Sequence, residues 1–151
     1  MTGRLGVLGG TFDPIHYGHL DAAAAARDAL ALDEVLFVPA HDQPLRPSGP
    51  LASGFHRFAM AALATNGYGA YRVSEIELVR EGTSYTIDTL NQLHAGGWSP
   101  SQLFFILGAD AFAEIAHWRG YPGILDAATF AVVARPGTTL DRKSTRLNSS
   151  H

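Results

Sequence analysis

Cysteine is absent from the 151-residue chain. That excludes disulfides, a thiolate nucleophile and a cysteine-ligated zinc site. Positive charge is scarce: 11 Lys and Arg stand against 14 Asp and Glu, a net charge of −3. A broad polyanion-binding face is excluded, and no nucleic-acid partner is expected. Any phosphate site must create its positive potential locally. No apolar run reaches the length of about 18 residues that a membrane span needs, so no membrane partner is expected. Residues 4–8 enter strand-like sequence without the charged and long apolar stretches of a secretory signal, which makes the expected compartment cytoplasmic. Charged residues make up only 17% and apolar residues 46%. That is the composition of one domain with a real core.

The apolar pattern alternates between strands and helices. Leu5, Val7 and Leu8 read as a buried strand that stops at Gly9-Gly10. A loop over 11–17 carries the turn pair Asp13-Pro14, and an alanine-rich helix is predicted over 18–32. A second buried strand spans 34–38, followed by a proline-rich loop over 39–54 and a helix over 55–65. A strand is predicted over 71–79 and a helix over 84–94 with Ser84 as its N-cap. A buried strand over 102–107, a helical piece over 109–116 and a last strand over 128–134 complete the pattern. Strands apolar on both faces between helices predict an α/β fold: an open parallel sheet with helices on both faces. Ligands of such sheets bind beyond the carboxyl ends of the strands. The informative loops are therefore 9–19, 39–54 and 108–119. Residues 138–151 are polar and aperiodic, and are expected to be a disordered or foreign tail on a domain over 1–137.

The first of these loops is rich in chemistry. Gly9 and Gly10 allow a sharp turn and close ligand approach. The amides of Thr11 and Phe12 can form an anion-binding concavity. Gly18 stands at a helix start, where bare N–H groups favour negative charge. His16 and His19, three residues apart, can aim two imidazole donors at one phosphate. Taken singly, a Gly-Gly pair is commonly a turn, and histidines at a helix start commonly cap it. No carboxylate or cysteine partner with ligand spacing turns the pair into a metal site.

Together the residues Gly9-Gly10-Thr11-Phe12-Asp13-Pro14, His16, Gly18 and His19 resemble the signature of the adenylyl- and cytidylyltransferase superfamily. They do not resemble a Walker A loop, whose Gly-Lys-Ser/Thr is missing. The resemblance implies a Rossmann-like sheet of nucleotidyltransferase type, with His16 and His19 as catalytic contacts to the triphosphate. Gly9, Gly10, Thr11, Phe12 and Gly18 would lie on the ATP side.

Two further motifs narrow the resemblance. Ser84-Tyr85-Thr86 with Thr89, and Gly108-Ala109-Asp110 with Trp118, are similar to motifs of bacterial nicotinate-nucleotide adenylyltransferases. The similarity implies that Ser84, Tyr85, Thr86 and Thr89 hold the nicotinate nucleotide and its carboxylate. It also implies that Trp118 stacks on the pyridine ring and that Gly108 and Asp110 serve the adenylyl half. Arg135, in Ala-Arg-Pro-Gly, matches a family position beside the nucleotide. A helix start does suit a carboxylate better than an amide, and an indole offers a flat apolar face. Each of these residues also has an ordinary use, as a cap or in packing.

The implied reaction is adenylyl transfer from ATP to nicotinate mononucleotide, with Mg²⁺ carried by the ATP phosphates. The alternatives are a transferase for nicotinamide mononucleotide or phosphopantetheine, or a non-catalytic nucleotide-binding fragment. Two departures bear on this. The loop after the second strand reads Gln43-Pro44-Leu45-Arg46 where the family has Pro-Pro-His-Lys, so Arg46 keeps a phosphate-binding cation while Leu45 removes an imidazole. The family's Ile-Ser-x-Thr-x-x-Arg motif is not found before His151, so the fold is expected to lack its C-terminal part. Oligomeric state is left open.

Overall fold

The computed structural model describes residues 2–41 and 52–134. The expectations for Arg46, Leu45, Arg135 and the tail over 138–151 lie outside these residues. The elements run β1 Leu5–Gly10, α1 Tyr17–Leu30, β2 Glu34–Pro39, α2 Gly54–Thr65 and β3 Tyr71–Val73. They continue as α3 Thr86–Ala95, β4 Leu103–Gly108, α4 Ala109–Ala113 and β5 Thr129–Val133.

All strand pairs are parallel, and the sheet order is β3-β2-β1-β4-β5. The chain therefore steps outward from β1 in one direction, then returns to lay β4 on the other side of β1. That reversal puts the switch point between the carboxyl ends of β1 and β4, where a crevice must open.

Strand alternation sets the two layers around the sheet. Leu5 and Val7 of β1 face a core with Leu90 of α3, Phe105 and Phe130. Leu8 faces the opposite core with Ala23 and Ala26 of α1, Phe37 and Ile106. Helices thus cover both faces, as the alternating pattern predicts. Gly6 lies where a Cβ would stand 2.7 Å from the Leu32 side chain, so the absent side chain is what lets Leu32 close down on the sheet.

Three boundaries differ from expectation. β1 does not stop at Gly9-Gly10 but continues through both, paired with Val38 and Pro39 of β2. The chain turns later, at Phe12, which takes the left-handed conformation (φ 51°). Its ring is buried, and that packing offsets the cost of the conformation.

The strand expected over 71–79 is only three residues long. Ser74 Oγ accepts the Ile76 amide, and the Val79 amide donates to the Glu75 carbonyl, so the segment curls away from the ladder. Its apolar residues are accommodated singly: Ile76 packs on the α3-side core, and Leu78 lies against Gly54.

Finally, α3 begins at Thr86 with Tyr85 as its N-cap and no side-chain cap. Ser84 is not the cap, because its hydroxyl is engaged across the molecule by the His41 amide at 2.9 Å.

Candidate active site

The α1 terminus is built from its own two histidines. His16 is the N-cap, and its Nδ1 accepts the Gly18 amide at 3.1 Å. His19 Nδ1 accepts the His16 amide at 3.0 Å. The rings lie 4.0 Å apart, tilted by 32°. Both histidines thus cap the helix start. Each Nδ1 is an acceptor, so each neutral ring carries its hydrogen on Nε2, as a donor not used by the cap. Burial, then the neighbouring His16, lowers the His19 pKa to about 4. Near neutrality His19 is therefore an uncharged Nε2–H donor. The Gly18 amide is not bare, as the sequence suggests, since the cap occupies it.

Phe12 links this pair to the switch point. Its ring meets the His19 imidazole edge-on at 4.8 Å. On its other side it lies where a Cβ on Gly10 would touch it at 3.5 Å. The Thr11 hydroxyl is buried without a hydrogen-bond partner among the described residues. Such a group costs about 1–3 kcal/mol unless something bound completes it.

Sequence reasoning passed over Arg57, the member of α2 that holds these loops together. Only 1% exposed, it donates through one Nη to the carbonyls of Thr11 and Ala40, each at 2.7 Å. Its Nε reaches the Ala52 carbonyl at 3.2 Å. One guanidinium thus ties the segments leaving β1 and β2 to α2 by its fixed fork of donors. A charged residue on the sheet-facing side of an otherwise alanine- and phenylalanine-rich helix was the signal in the sequence.

At the switch point a cavity of about 300 Å³ opens. Gly9 and Gly10, Phe105 and Leu107 of β4, the Ser84-Tyr85-Thr86 turn and Trp118 share its wall. The structure therefore brings together two motifs that lie about seventy residues apart in sequence with the tryptophan between β4 and β5. The indole meets Phe105 edge-on at 6.1 Å, which fixes its plane against the sheet. Gly9 and Gly10 leave this end of β1 without side chains, so a ligand can approach its backbone.

Behind the turn stands Glu77, buried and on the same wall. It accepts from the Thr89 hydroxyl, which in turn accepts from Arg80 at 2.9 Å. Burial pushes the Glu77 carboxyl up, while Thr89, Ser84 and the Arg80 charge oppose that shift. Ser84 Oγ accepts the His41 amide and spends its own hydrogen on Glu77. Thr89 is fully buried within this network and is not one of the residues lining the cavity. Gly108 and Asp110 are exposed at the β4–α4 junction. They also stand off the cavity wall, which Ala111 joins instead.

Known proteins resemble this chain in sequence and in fold. The cytidylyltransferase-like family model matches residues 7–151. A "probable nicotinate-nucleotide adenylyltransferase" of Roseiflexus sp. (strain RS-1) is 50% identical over 137 residues, covering 91% of this chain and 68% of that protein. One from Thermoanaerobacter sp. (strain X514) is 43% identical over 145 residues, covering 96% and 69%. Among solved structures, the Plasmodium falciparum nicotinic acid mononucleotide adenylyltransferase complexed with NaAD superposes with a TM-score of 0.73 at 20% identity. It covers 96% of this chain and 71% of that one. At that identity the likeness concerns the fold.

Proposed function

This chain belongs to the cytidylyltransferase-like family and, within it, to the nicotinate-nucleotide adenylyltransferases; from that premise we propose how its own residues perform the reaction. It transfers the adenylyl group of ATP to nicotinate mononucleotide, giving nicotinate adenine dinucleotide and pyrophosphate on the route to NAD. The 5′-phosphate oxygen of the mononucleotide attacks the α-phosphorus, and the bond to the β-phosphate bridging oxygen breaks. No covalent enzyme intermediate is required, so the protein's part is positioning and charge stabilisation.

His16 and His19 supply Nε2 donors for the triphosphate. Because the cap fixes both rings, they meet the developing charge without reorganising. We assign the Thr11 hydroxyl and the backbone at Gly9-Gly10 to the same nucleotide, with Arg57 holding the Thr11 carbonyl. We assign the pyridine ring to the Trp118 face, and its carboxylate to the Ser84-Tyr85-Thr86 turn at the start of α3. Gly108, Asp110 and Arg46 remain candidates for the adenylyl and phosphate ends, and Arg135 for the nicotinate nucleotide. The substrate is ATP as its Mg²⁺ complex, in which the ion would neutralise phosphate charge.

The observation that carries this assignment is the single cavity joining Gly9-Gly10, Ser84–Thr86 and Trp118. Pyrophosphate release with ATP and nicotinate mononucleotide tests it. Dinucleotide formation that is faster with the acid than with nicotinamide mononucleotide is expected. Equal or faster turnover of the amide contradicts the substrate assignment, and ATP binding without pyrophosphate release contradicts the catalytic one.

A further inference from the structure

We propose that Arg119 is the specificity-determining cation of the pyridine pocket, selecting a ring carboxylate over a ring amide. The inference rests on the assignment of the switch-point cavity to the pyridine nucleotide. It starts from a charge problem on that cavity's wall. Two carboxylates, Glu77 and Glu114, line it, and an incoming pyridine carboxylate meets them as a third like charge. Glu114 is answered only at the periphery, by exposed His117 at 3.7 Å when that ring is protonated. Glu77 is answered behind the wall by hydroxyls and by the Arg80 charge, whose guanidinium donates to Thr89 and Gln92 there. Neither arrangement leaves positive charge for a ligand.

Arg119 does. It is the one Arg or Lys among the described residues lining the cavity. Its guanidinium carbon lies 3.8 Å over the centre of the Tyr85 ring, within the turn assigned to the carboxylate. It makes no hydrogen bond or ion pair among the described residues, so its donors are uncommitted. Stacking on an aromatic face holds a guanidinium by its π surface and leaves its N–H groups for a planar anion.

The backbone fixes this placement. Gly120 takes φ +87°, and a Cβ there would stand 3.1 Å from Ile87 of α3. The Trp118-Arg119-Gly120 segment is therefore pressed onto the first turn of α3, beside Tyr85 and Thr86. The Ile124 amide closes the segment onto the Gly120 carbonyl at 2.8 Å. A pyridine ring on the Trp118 face would carry its carboxylate between the α3 amides and this guanidinium.

Calorimetric titration of the chain with nicotinate mononucleotide and with nicotinamide mononucleotide, in native, R119K and R119Q forms, tests the proposal without depending on turnover. The native chain is expected to bind the acid more tightly. R119Q is expected to weaken acid binding by about tenfold to hundredfold, the worth of a charge-assisted contact, and to leave amide binding unchanged. R119K is expected to fall between. A native preference for the acid that R119Q retains in full overturns the role of Arg119. Equal weakening for both ligands overturns it too, because that is the signature of a wall residue acting on shape alone. A native chain without any preference for the acid overturns instead the assignment of the cavity on which the inference stands.

Discussion

His19 accepts the His16 backbone amide through Nδ1 while His16 accepts the Gly18 amide through its own Nδ1, so each ring holds the helix start that holds the other. The two rings, their centres 4.0 Å apart, each leave an Nε2 donor outside the cap. Replacing either histidine removes a cap and, under the proposed function, a phosphate donor. H16A and H19A are each expected to lower kcat by about 10²–10³-fold, the usual cost of one oriented donor to a developing oxyanion. Steady-state pyrophosphate release checks this. H16N, whose side chain can still cap, should recover stability but not rate.

The same geometry sets a pH dependence of stability. Burial, then His16, lowers the His19 pKa from 6.5 to about 4 in the folded chain. The native state therefore favours the neutral ring, and protonation favours unfolding. The contribution is complete above about pH 6.5 and is lost as pH falls from there toward 4. Protonation also removes the lone pair that accepts the His16 amide. Urea midpoints between pH 7.5 and 4.5 should fall more steeply for the native chain than for H19Q. Parallel slopes would contradict the placement of this ring.

Arg57 donates to the Thr11, Ala40 and Ala52 carbonyls and so governs where the loop leaving β1 sits. R57A leaves the Thr11 and Ala40 carbonyls without this donor and should lower stability in chemical denaturation by about 1–3 kcal/mol for each carbonyl left unsatisfied. R57K keeps the charge but cannot span three carbonyls with one fork. It should fold, show an intermediate loss of stability and raise KM for ATP more than KM for the mononucleotide.

Ser84 makes the converse case. Its hydroxyl joins the His41 amide to Glu77, and it does not cap α3. S84A should lower stability by about 1–2 kcal/mol through the lost hydrogen bonds to the His41 amide and Glu77, with unchanged helical circular dichroism. KM for nicotinate mononucleotide should rise. A selective loss of helix signal would show that Ser84 caps α3 after all.

Much of the molecule was legible from residue order. Apolar runs free of polar alternation announce buried parallel strands, and the alanine-rich stretch after His16 announces α1. The parallel sheet with helices on both faces follows from that alternation, whereas the strand order and the place of its switch point come from the structure. What stayed hidden has a common cause: it depends on partners distant in sequence. The break after Val73 comes from Ser74 seizing a local amide, which competes with strand pairing below the level of hydrophobic pattern. Ser84 reads as a helix cap by position, and only the arrival of His41 reassigns it. The end of β1 reads as a turn because glycine permits one. The strand ladder continues through it, and Phe12 takes the left-handed turn instead. The phosphate and pyridine motifs were readable separately, whereas Glu77, Arg57 and Arg119 gain meaning only from what the fold brings beside them.

A crystal structure of the chain with nicotinate adenine dinucleotide bound tests the central claim most directly. The account predicts the pyridine ring flat against Trp118, with its carboxylate within hydrogen-bond reach of the Ser84–Thr86 turn. The bridging phosphates should lie over Gly9-Gly10, on the side of His16 and His19. A dinucleotide seated elsewhere, or one whose pyridine end lies away from the indole with its phosphates out of reach of both imidazoles, would contradict it.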